Sequence, residues 1–152
     1  KVVFQGKKAE AFNYYNKKYN NNFDDNFLHG EITNIEKSNS ITTIKIQEFN
    51  ISVISKNFKV GENVLLRIKS TDLIVCKSLP KDISALNYLN LKLKEIKIGK
   101  IIVTLYFKLN ENLLKANITK ASLESLKLKQ NNNYIILIKA ININEIMSFN
   151  LI

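Results

Sequence analysis

The sequence contains NFLHGEITNI at residues 26–35 and a diverged copy, NYLNLKLKEI, at residues 87–96, an offset of 61. A second pair of similar segments, LLRIKS at residues 65–70 and IILIKA at residues 135–140, has an offset of 70. Repeated segments in the same order indicate two copies of one structural unit. The repeat therefore decides the fold: the chain is predicted to form two related domains in tandem.

The difference between the two offsets places an insertion of nine residues in the second copy. About two of them are predicted to lengthen the hairpin near residues 110–112, and the others correspond to residues 119–125. Pro80, the only proline, lies between the copies. These features predict three segments: residues 1–22, a first repeat at residues 23–80 and a second repeat at residues 81–152.

Both copies contain short runs of branched residues with a period of two, such as ITTIKI at residues 41–46. This pattern indicates β-strands, and several short strands at close spacing are typical of small barrels or sandwiches. Thr119, followed by KASLESL, predicts the start of a short helix in the second copy. The predicted fold class is mainly β, with two tandem small β-barrels and a short helix in the second.

Residues 1–22 have a different character. VVF at residues 2–4 predicts a short strand, and residues 8–19 have helical spacing. Three asparagines at residues 20–22 then predict a linker.

Composition excludes several classes of protein. Hydrophobic residues make up 45% of the chain, enough for a packed core, and no apolar run is long enough to cross a bilayer. The single cysteine, Cys76, excludes an internal disulfide framework, fits a reducing cytoplasmic setting and is predicted to be a buried thiol in a strand. His29 has no neighbouring His or Cys, so no metal site is predicted. The net charge of +10 favours anionic partners, although the lysines are spread along the chain.

The sequence has no Gly-x-x-x-x-Gly-Lys-Ser/Thr loop for phosphates and no group of catalytic carboxylates. We therefore predict that the chain is not an enzyme and needs no cofactor.

Three segments of the second repeat carry groups suited to a small tetrahedral anion: SALN at residues 84–87, TKAS at residues 119–122, and Lys139. Hydroxyls and backbone N–H groups at a helix start donate hydrogen bonds, and one lysine adds a charge-assisted contact. Each group also has an ordinary explanation, since Thr119 can cap its own helix and the others can lie at the surface. The residues alone leave both explanations open.

The same blocks resemble a known repeat. SALNYL at residues 84–89, ANITKASLESLKL at residues 116–128 and IKA at residues 138–140 are similar in order and spacing to the molybdopterin-binding-protein (Mop, molbindin) repeat of the TOBE class. The resemblance implies OB-like barrels and a cytoplasmic site for molybdate or tungstate. It implies a homodimer in which Ser84, the backbone at Ala85, Asn87 and Lys139 line the site from one subunit, with Thr119 and Ser122 from its partner.

The tandem copies resemble in particular the C-terminal half of the ATP-binding subunit of molybdate importers. The segment KVVFQGKKAEAF at residues 1–12 is similar to the closing strand, turn and helix of an ABC ATPase domain. This resemblance implies a regulatory domain at the inner face of the cell membrane, which senses oxyanion and inhibits uptake. Contact with the permease subunits would then occur only through an ATPase domain upstream.

Two positions of the second repeat and one segment of the first depart from relatives. Leu86 differs from those relatives that have arginine there, so a guanidinium contact is absent. Asn131 stands where relatives have glycine, a change that asparagine tolerates because it accepts positive φ. In the first repeat, FDD at residues 23–25 corresponds to residues 84–86 of the second. Two carboxylates repel a dianion, so only the second copy is expected to bind one.

Three alternatives remain open at this stage. The chain could be a free-standing molybdate-storage protein, or a TOBE domain that binds no oxyanion. A small barrel with basic charge could also bind single-stranded nucleic acid, which requires aromatic side chains on an exposed sheet face. Tyr106 and Phe107 are adjacent, so only one of them can point outward, and no nucleic-acid partner is expected.

Overall fold

The structure is a computed structural model, which describes residues 3–5, 10 and 25–150. The predicted helical segment at residues 8–19 and the linker at residues 20–22 lie outside the described residues, apart from residue 10. Among the described residues, no helix has the length and apolar character that crossing a membrane requires. The strands are β1 (Val3–Gln5), β2 (Asp25–Glu36), β3 (Ile41–Ile46), β4 (Phe49–Ile54), β5 (Asn63–Lys69), β6 (Ile74–Cys76), β7 (Asn87–Ile98), β8 (Ile102–Leu109), β9 (Asn112–Thr119), β10 (Asn133–Ile138) and β11 (Ile143–Asn150), with helix α1 (Lys120–Leu126) and 3-10 helices at Ser70–Asp72 and Ala140–Asn142.

The chain forms two compact units, each with one curled sheet. Unit 1 comprises the chain up to Ile68 together with the segment from Ala140 onward, and unit 2 comprises Lys69–Lys139. The strand order is β1-β11-β5-β2-β3-β4 in unit 1 and β6-β10-β7-β8-β9 in unit 2.

The period of two in the sequence follows from the two faces of each sheet. Along β7, residues 87, 89, 91 and 93 are buried, whereas residues 88, 90, 92 and 94 are exposed. Side chains alternate across a strand, so one face packs in the core and the other meets water. The largest fully buried side chains of the core are Ile32, Ile44, Ile51, Leu66, Ile68 and Phe149 in unit 1, and Leu93, Leu105, Phe107, Leu114, Ile136 and Ile138 in unit 2.

Matching backbone hydrogen bonds in the two units confirm the predicted repeat. In unit 1, β2 exchanges two backbone hydrogen bonds with the turn before β5, and in unit 2, β7 does the same with the turn before β10. The counterparts on the strands have the offset of 61, and the counterparts in the turns have the offset of 70. The bonds run from Ile32 N–H to Glu62 O (2.9 Å) and Gly61 N–H to Ile32 O (2.8 Å) in unit 1, and from Leu93 N–H to Asn132 O (2.9 Å) and Asn131 N–H to Leu93 O (2.6 Å) in unit 2.

The insertion is divided differently from the prediction. Asn34 pairs with Thr43, whereas its counterpart Glu95 pairs with Tyr106. The chain between the paired residues is therefore longer in the second copy, and the two extra residues lie in the β7–β8 hairpin. The β3–β4 and β8–β9 turns have the same length. The predicted position near residues 110–112 is therefore wrong, because weakly similar strands can be aligned in either register. The remaining insertion, at residues 119–125, coincides with α1.

The last strands of the two repeats exchange places. β6, which follows the 3-10 helix of the first repeat, pairs with β10 in unit 2. β11, which follows the 3-10 helix of the second repeat, pairs with β5 in unit 1. The compact units therefore differ from the predicted segments 23–80 and 81–152, because a repeat in sequence does not record which copy a strand pairs with.

The strand predicted at residues 2–4 is present as β1. It pairs in parallel with β11, in register Val3 with Ser148, and so extends the sheet of unit 1. This position gives no support to the prediction that the strand closes an ATPase domain.

Asn131 adopts the backbone conformation predicted for it. Its φ is 73°, and φ of its counterpart Gly61 is 91°. A β-branched residue is strained at positive φ, so Asn131→Val should lower the free energy of unfolding by about 1–2 kcal/mol. Asn131→Gly should change it by less than about 1 kcal/mol. Urea unfolding of both variants measures the difference, and equal midpoints would contradict the argument.

Cys76 lies at the end of β6, as predicted, but its thiol is half-buried instead of fully buried. Desolvation raises the pKa of this thiol above its ordinary value. Only the thiolate is alkylated readily, so at about pH 7.5 the folded chain should react with iodoacetamide at least about threefold more slowly than the urea-unfolded chain. The rate should rise with pH towards the thiol pKa. Mass spectrometry of timed samples measures both rates, and equal rates would contradict the expectation.

Candidate oxyanion-binding site

The six predicted site residues all lie in unit 2, where they form two groups. Ser84, Ala85, Asn87 and Lys139 surround the start of β7 and the end of β10, and we call them the lysine group. Thr119 and Ser122 lie at the end of β9 and in the first turn of α1, and we call them the hydroxyl group.

Asn87 organises the lysine group. It is the first residue of β7 and pairs with Ile138, the last residue of β10. Its side chain is only 4% exposed, and Nδ2 donates a hydrogen bond to Ile138 O at 3.2 Å. This bond fixes the end of β10 beside the start of β7, and the exposed Lys139 follows directly. The Asn87 amide therefore holds the strand end from which Lys139 extends, a role that the sequence did not reveal.

The segment before Asn87 and Lys139 extend from neighbouring strand ends. β7 and β10 are antiparallel, so the chain preceding Asn87 and the chain that follows Ile138 leave the sheet at the same edge. Ser84 is exposed and Ala85 is half-buried. One hydroxyl, the local backbone and one ammonium group thus follow from the same end of this strand pair.

The hydroxyl group is held together by a helix cap. Thr119 is the N-cap of α1, and its Oγ1 accepts a hydrogen bond from Ser122 N–H at 3.0 Å. The Thr119 hydroxyl also lies 3.0 Å from Ser122 Oγ, to which it donates. The ordinary explanation of Thr119, a cap for its own helix, is therefore confirmed. The half-buried Ser122 keeps its own hydroxyl proton for another acceptor.

Strand pairing places the two groups at opposite ends of β7. Asn87 begins this strand, and Ile98 ends it opposite Val103. The neighbouring Ile102 pairs with Thr119. The structure thus brings Thr119 and Ser122 together and pairs Asn87 with the residue before Lys139, while the register of the sheet assigns the two groups to different strand ends.

A polar network that the sequence did not predict anchors the end of β9. Asn117 Nδ2 donates to Ser70 Oγ at 2.8 Å, and Thr104 Oγ1 donates to Asn117 Oδ1 at 2.9 Å. These bonds fix the strand two residues before Thr119. Asn117 lies within the segment that resembles the Mop repeat, but nothing in its spacing distinguishes it from a surface asparagine.

The positive charge is concentrated in unit 2. Residues 69–139 contain 13 lysines and five acidic residues, a net charge of +8. Residues 25–68 and 140–152 contain five basic and six acidic residues, a net charge of −1. The lysines are spread along the chain but not evenly between the units, and a count for each repeat would have revealed this asymmetry. Such a field attracts anions to unit 2.

The side chains that other ligand classes would need are arranged as follows among residues 25–150, where Tyr88 is 58% exposed. No group of three His, Cys, Asp or Glu side chains in the described part of the chain could hold a metal ion. His29 Nε2 lies 3.3 Å from Asn63 Oδ1. Of the adjacent aromatic residues, Phe107 is fully buried and Tyr106 is half-buried, as their adjacency predicted. Tyr134 is buried, and its hydroxyl accepts a hydrogen bond from Lys129 N–H at 2.8 Å.

A similar solved structure is that of ModG, described as a cytoplasmic molybdate-binding protein and crystallised with molybdate bound. The TM-score is 0.71, and the alignment covers 79% of this chain and 94% of the ModG chain at 17% sequence identity. The fold, mainly β with two curled sheets and one short helix, matches that of the tandem OB-like Mop domains of ModG. The predicted fold class is thereby confirmed, and an identity this low shows the fold alone. No protein-family profile and no curated protein sequence matches the chain.

Proposed function

We propose that this chain binds a tetrahedral metal oxyanion, molybdate or tungstate, through unit 2. The observation that carries the proposal is the bond from Asn87 to Ile138 O, which holds the residue before Lys139 at the start of β7, two residues after Ala85. It does so in a fold shared with a protein that was crystallised with molybdate.

The chemistry of the lysine group suits a dianion. The Lys139 ammonium supplies a charge-assisted hydrogen bond, which is stronger than a neutral one. The Ser84 hydroxyl and the backbone at Ala85 supply neutral donors, which satisfy further oxygens without additional charge. Several donors with a single charge hold an oxyanion, and the surrounding charge of +8 raises its local concentration.

The proposed site is completed by a second copy of the chain. The lysine group comes from one subunit, and Thr119 and Ser122 come from its partner, in a homodimer. The placement of the two groups at opposite ends of β7 supports this division. The Ser122 hydroxyl is the donor of the hydroxyl group, since Thr119 is engaged in the cap of α1.

Calorimetry of the purified chain tests the proposal. Molybdate and tungstate, which have nearly the same size and charge, should bind with similar affinity, and sulfate should bind more weakly. The absence of binding heat with both metal oxyanions would overturn the proposed function.

Mixed subunits test the shared site. Lys139→Ala and Ser122→Ala chains should each bind molybdate weakly. After unfolding and refolding together, they should regain tight binding, because mixed dimers contain one site with both groups intact. Ser125→Ala, which changes an exposed hydroxyl on the same helix, provides the matched control. A site within one chain would give no recovery.

The proposed cellular role is regulation of oxyanion uptake, in the cytoplasm, as part of the ATP-binding subunit of an importer. Bound oxyanion would stabilise one dimer arrangement, and a coupling of about 1–3 kcal/mol would suffice to inhibit transport. In a full-length importer, Lys139→Ala should therefore relieve inhibition of uptake by cytoplasmic molybdate. Unchanged inhibition would exclude this role.

A free-standing molybdate-storage protein is the second candidate. The parallel pairing of β1 with β11 favours it, because this strand then belongs to the sheet of unit 1 and not to an ATPase domain. The reading frame upstream of Lys1 separates the candidates, since only an importer subunit encodes nucleotide-binding motifs there.

A further inference from the structure

A buried ion pair lies at the start of β2 in unit 1. Arg67 Nε donates to Asp25 Oδ2 at 2.6 Å, a short charge-assisted bond. The Asp25 side chain is 6% exposed, whereas the Arg67 side chain is 31% exposed. The carboxylate is therefore covered, and its guanidinium partner remains within reach of solvent.

Asp25 is the counterpart in unit 1 of Leu86, which lies between Ala85 and Asn87 of the lysine group. Asp25 directly precedes Asn26, as Leu86 directly precedes Asn87. Asp25 and Leu86 are separated by the offset of 61, and so are Asn26 and Asn87. Asn26 and Asn87 are each 4% exposed, so the two strands begin with the same buried amide.

Arg67 occupies the corresponding position on the other strand. It precedes Ile68 as Leu137 precedes Ile138, with the offset of 70. Ile68 and Ile138 are both buried. The ion pair of unit 1 is therefore replaced in unit 2 by two leucines, of which Leu86 is 53% exposed.

We propose that the Asp25 carboxylate is a built-in anion: it binds Arg67 and prevents a free oxyanion from binding there. Oxyanion binding is thereby confined to unit 2. The inference takes its ligand class from the proposed function. A carboxylate on the same chain has an effective concentration of millimolar or higher, of the order of magnitude known for tethered groups. A free oxyanion at micromolar concentration cannot displace it.

The proposed role of Asp25 also explains why the Arg67 guanidinium is paired with a carboxylate. Arginine binds oxyanions through several N–H groups in a fixed geometry. Arg67 without Asp25 would therefore be an open anion site with a partly exposed cation. Asp25 neutralises that cation, in the unit whose other charges nearly cancel.

Calorimetry with molybdate in a Lys139→Ala background tests the inference, because that background weakens the site in unit 2. Adding Asp25→Asn, which removes the charge but keeps the shape, should create binding that is at least about tenfold tighter than in the background alone. Adding Arg67→Leu to that variant should abolish the gain. The matched control is Asp25→Leu with Arg67→Leu, which copies the two leucines of unit 2 and should bind nothing more than the background.

Circular dichroism and thermal unfolding establish that each variant is folded. Asp25→Ser offers a smaller substitution if Asp25→Asn is not folded. A folded variant with Arg67 intact and no gain in affinity would overturn the inference. The wild-type chain tests the proposed function separately: its failure to bind molybdate would reject that function, while a gain in the Asp25 variants would still support the built-in anion.

Discussion

Replacing Lys139 by alanine should weaken the binding of molybdate by about 10- to 100-fold. A hydrogen bond to a charged group contributes about 1.5–3 kcal/mol, and each 1.4 kcal/mol changes affinity about tenfold. The stability of the fold should hardly change, because the Lys139 side chain is exposed and follows the last residue of β10. Calorimetry at fixed ionic strength measures the affinity, and thermal unfolding measures the stability.

The repeat provides the matched control for this prediction. Lys69 is the counterpart of Lys139 at the offset of 70, and it is also exposed. Lys69→Ala removes the same charge from the same unit, so it lowers the general attraction of anions equally. It should change affinity by less than about threefold. Equal losses in the two variants would mean that net charge, and not a contact from Lys139, determines affinity.

Local features of the fold could be predicted from the sequence, because each depends on a few adjacent residues. Alternation of buried and exposed positions in β7 is visible in its residues. The start of α1 follows from Thr119, whose side chain caps it. Positive φ at Asn131 follows from the resemblance, in which a glycine stands at this position, and its φ is 73°.

Features that depend on pairing between distant segments could not be predicted. The exchange of β6 and β11 preserves every local pattern and changes only the partner of each strand. The register between β7 and β8, which places two extra residues in their hairpin, is likewise a property of pairing. Both affect the domain boundaries more than the candidate site, whose segments lie within unit 2.

The candidate site, like the fold, could be predicted from the sequence only in part. Its residue types suggested an anion, and resemblance to the Mop repeat suggested which residues bind it. The bond from Asn87 to Ile138 O and the ion pair of Arg67 with Asp25 appear only when strands are placed side by side. The sequence thus predicts Asn87 as a ligand, whereas the structure also gives it the task of holding the end of β10, from which Lys139 extends.

Asn87→Asp should have the largest effect on binding of molybdate. Its effects on affinity and on stability report separately on the contact of Asn87 with the oxyanion and on its bond to Ile138 O. The carboxylate cannot donate to Ile138 O, so the bond is lost and a buried carbonyl loses its partner. This loss should lower the free energy of unfolding by about 1–3 kcal/mol. A negative charge beside a dianion should also weaken the binding of molybdate more than about 100-fold, even at an effective dielectric constant of about 20.

Asn26→Asp is the control that distinguishes lost binding from lost stability. Asn26 is the counterpart of Asn87 in unit 1 and is equally buried. A carboxylate there should destabilise the fold at least as much, because Asp25 is its neighbour. It should leave the affinity of unit 2 for molybdate within about threefold of wild type, since Asn26 belongs to unit 1 and is not one of the proposed site residues. If both variants lost binding to the same extent while remaining folded, Asn87 would not belong to the site, and the lysine group would have to be redefined around Ser84 and Lys139 alone.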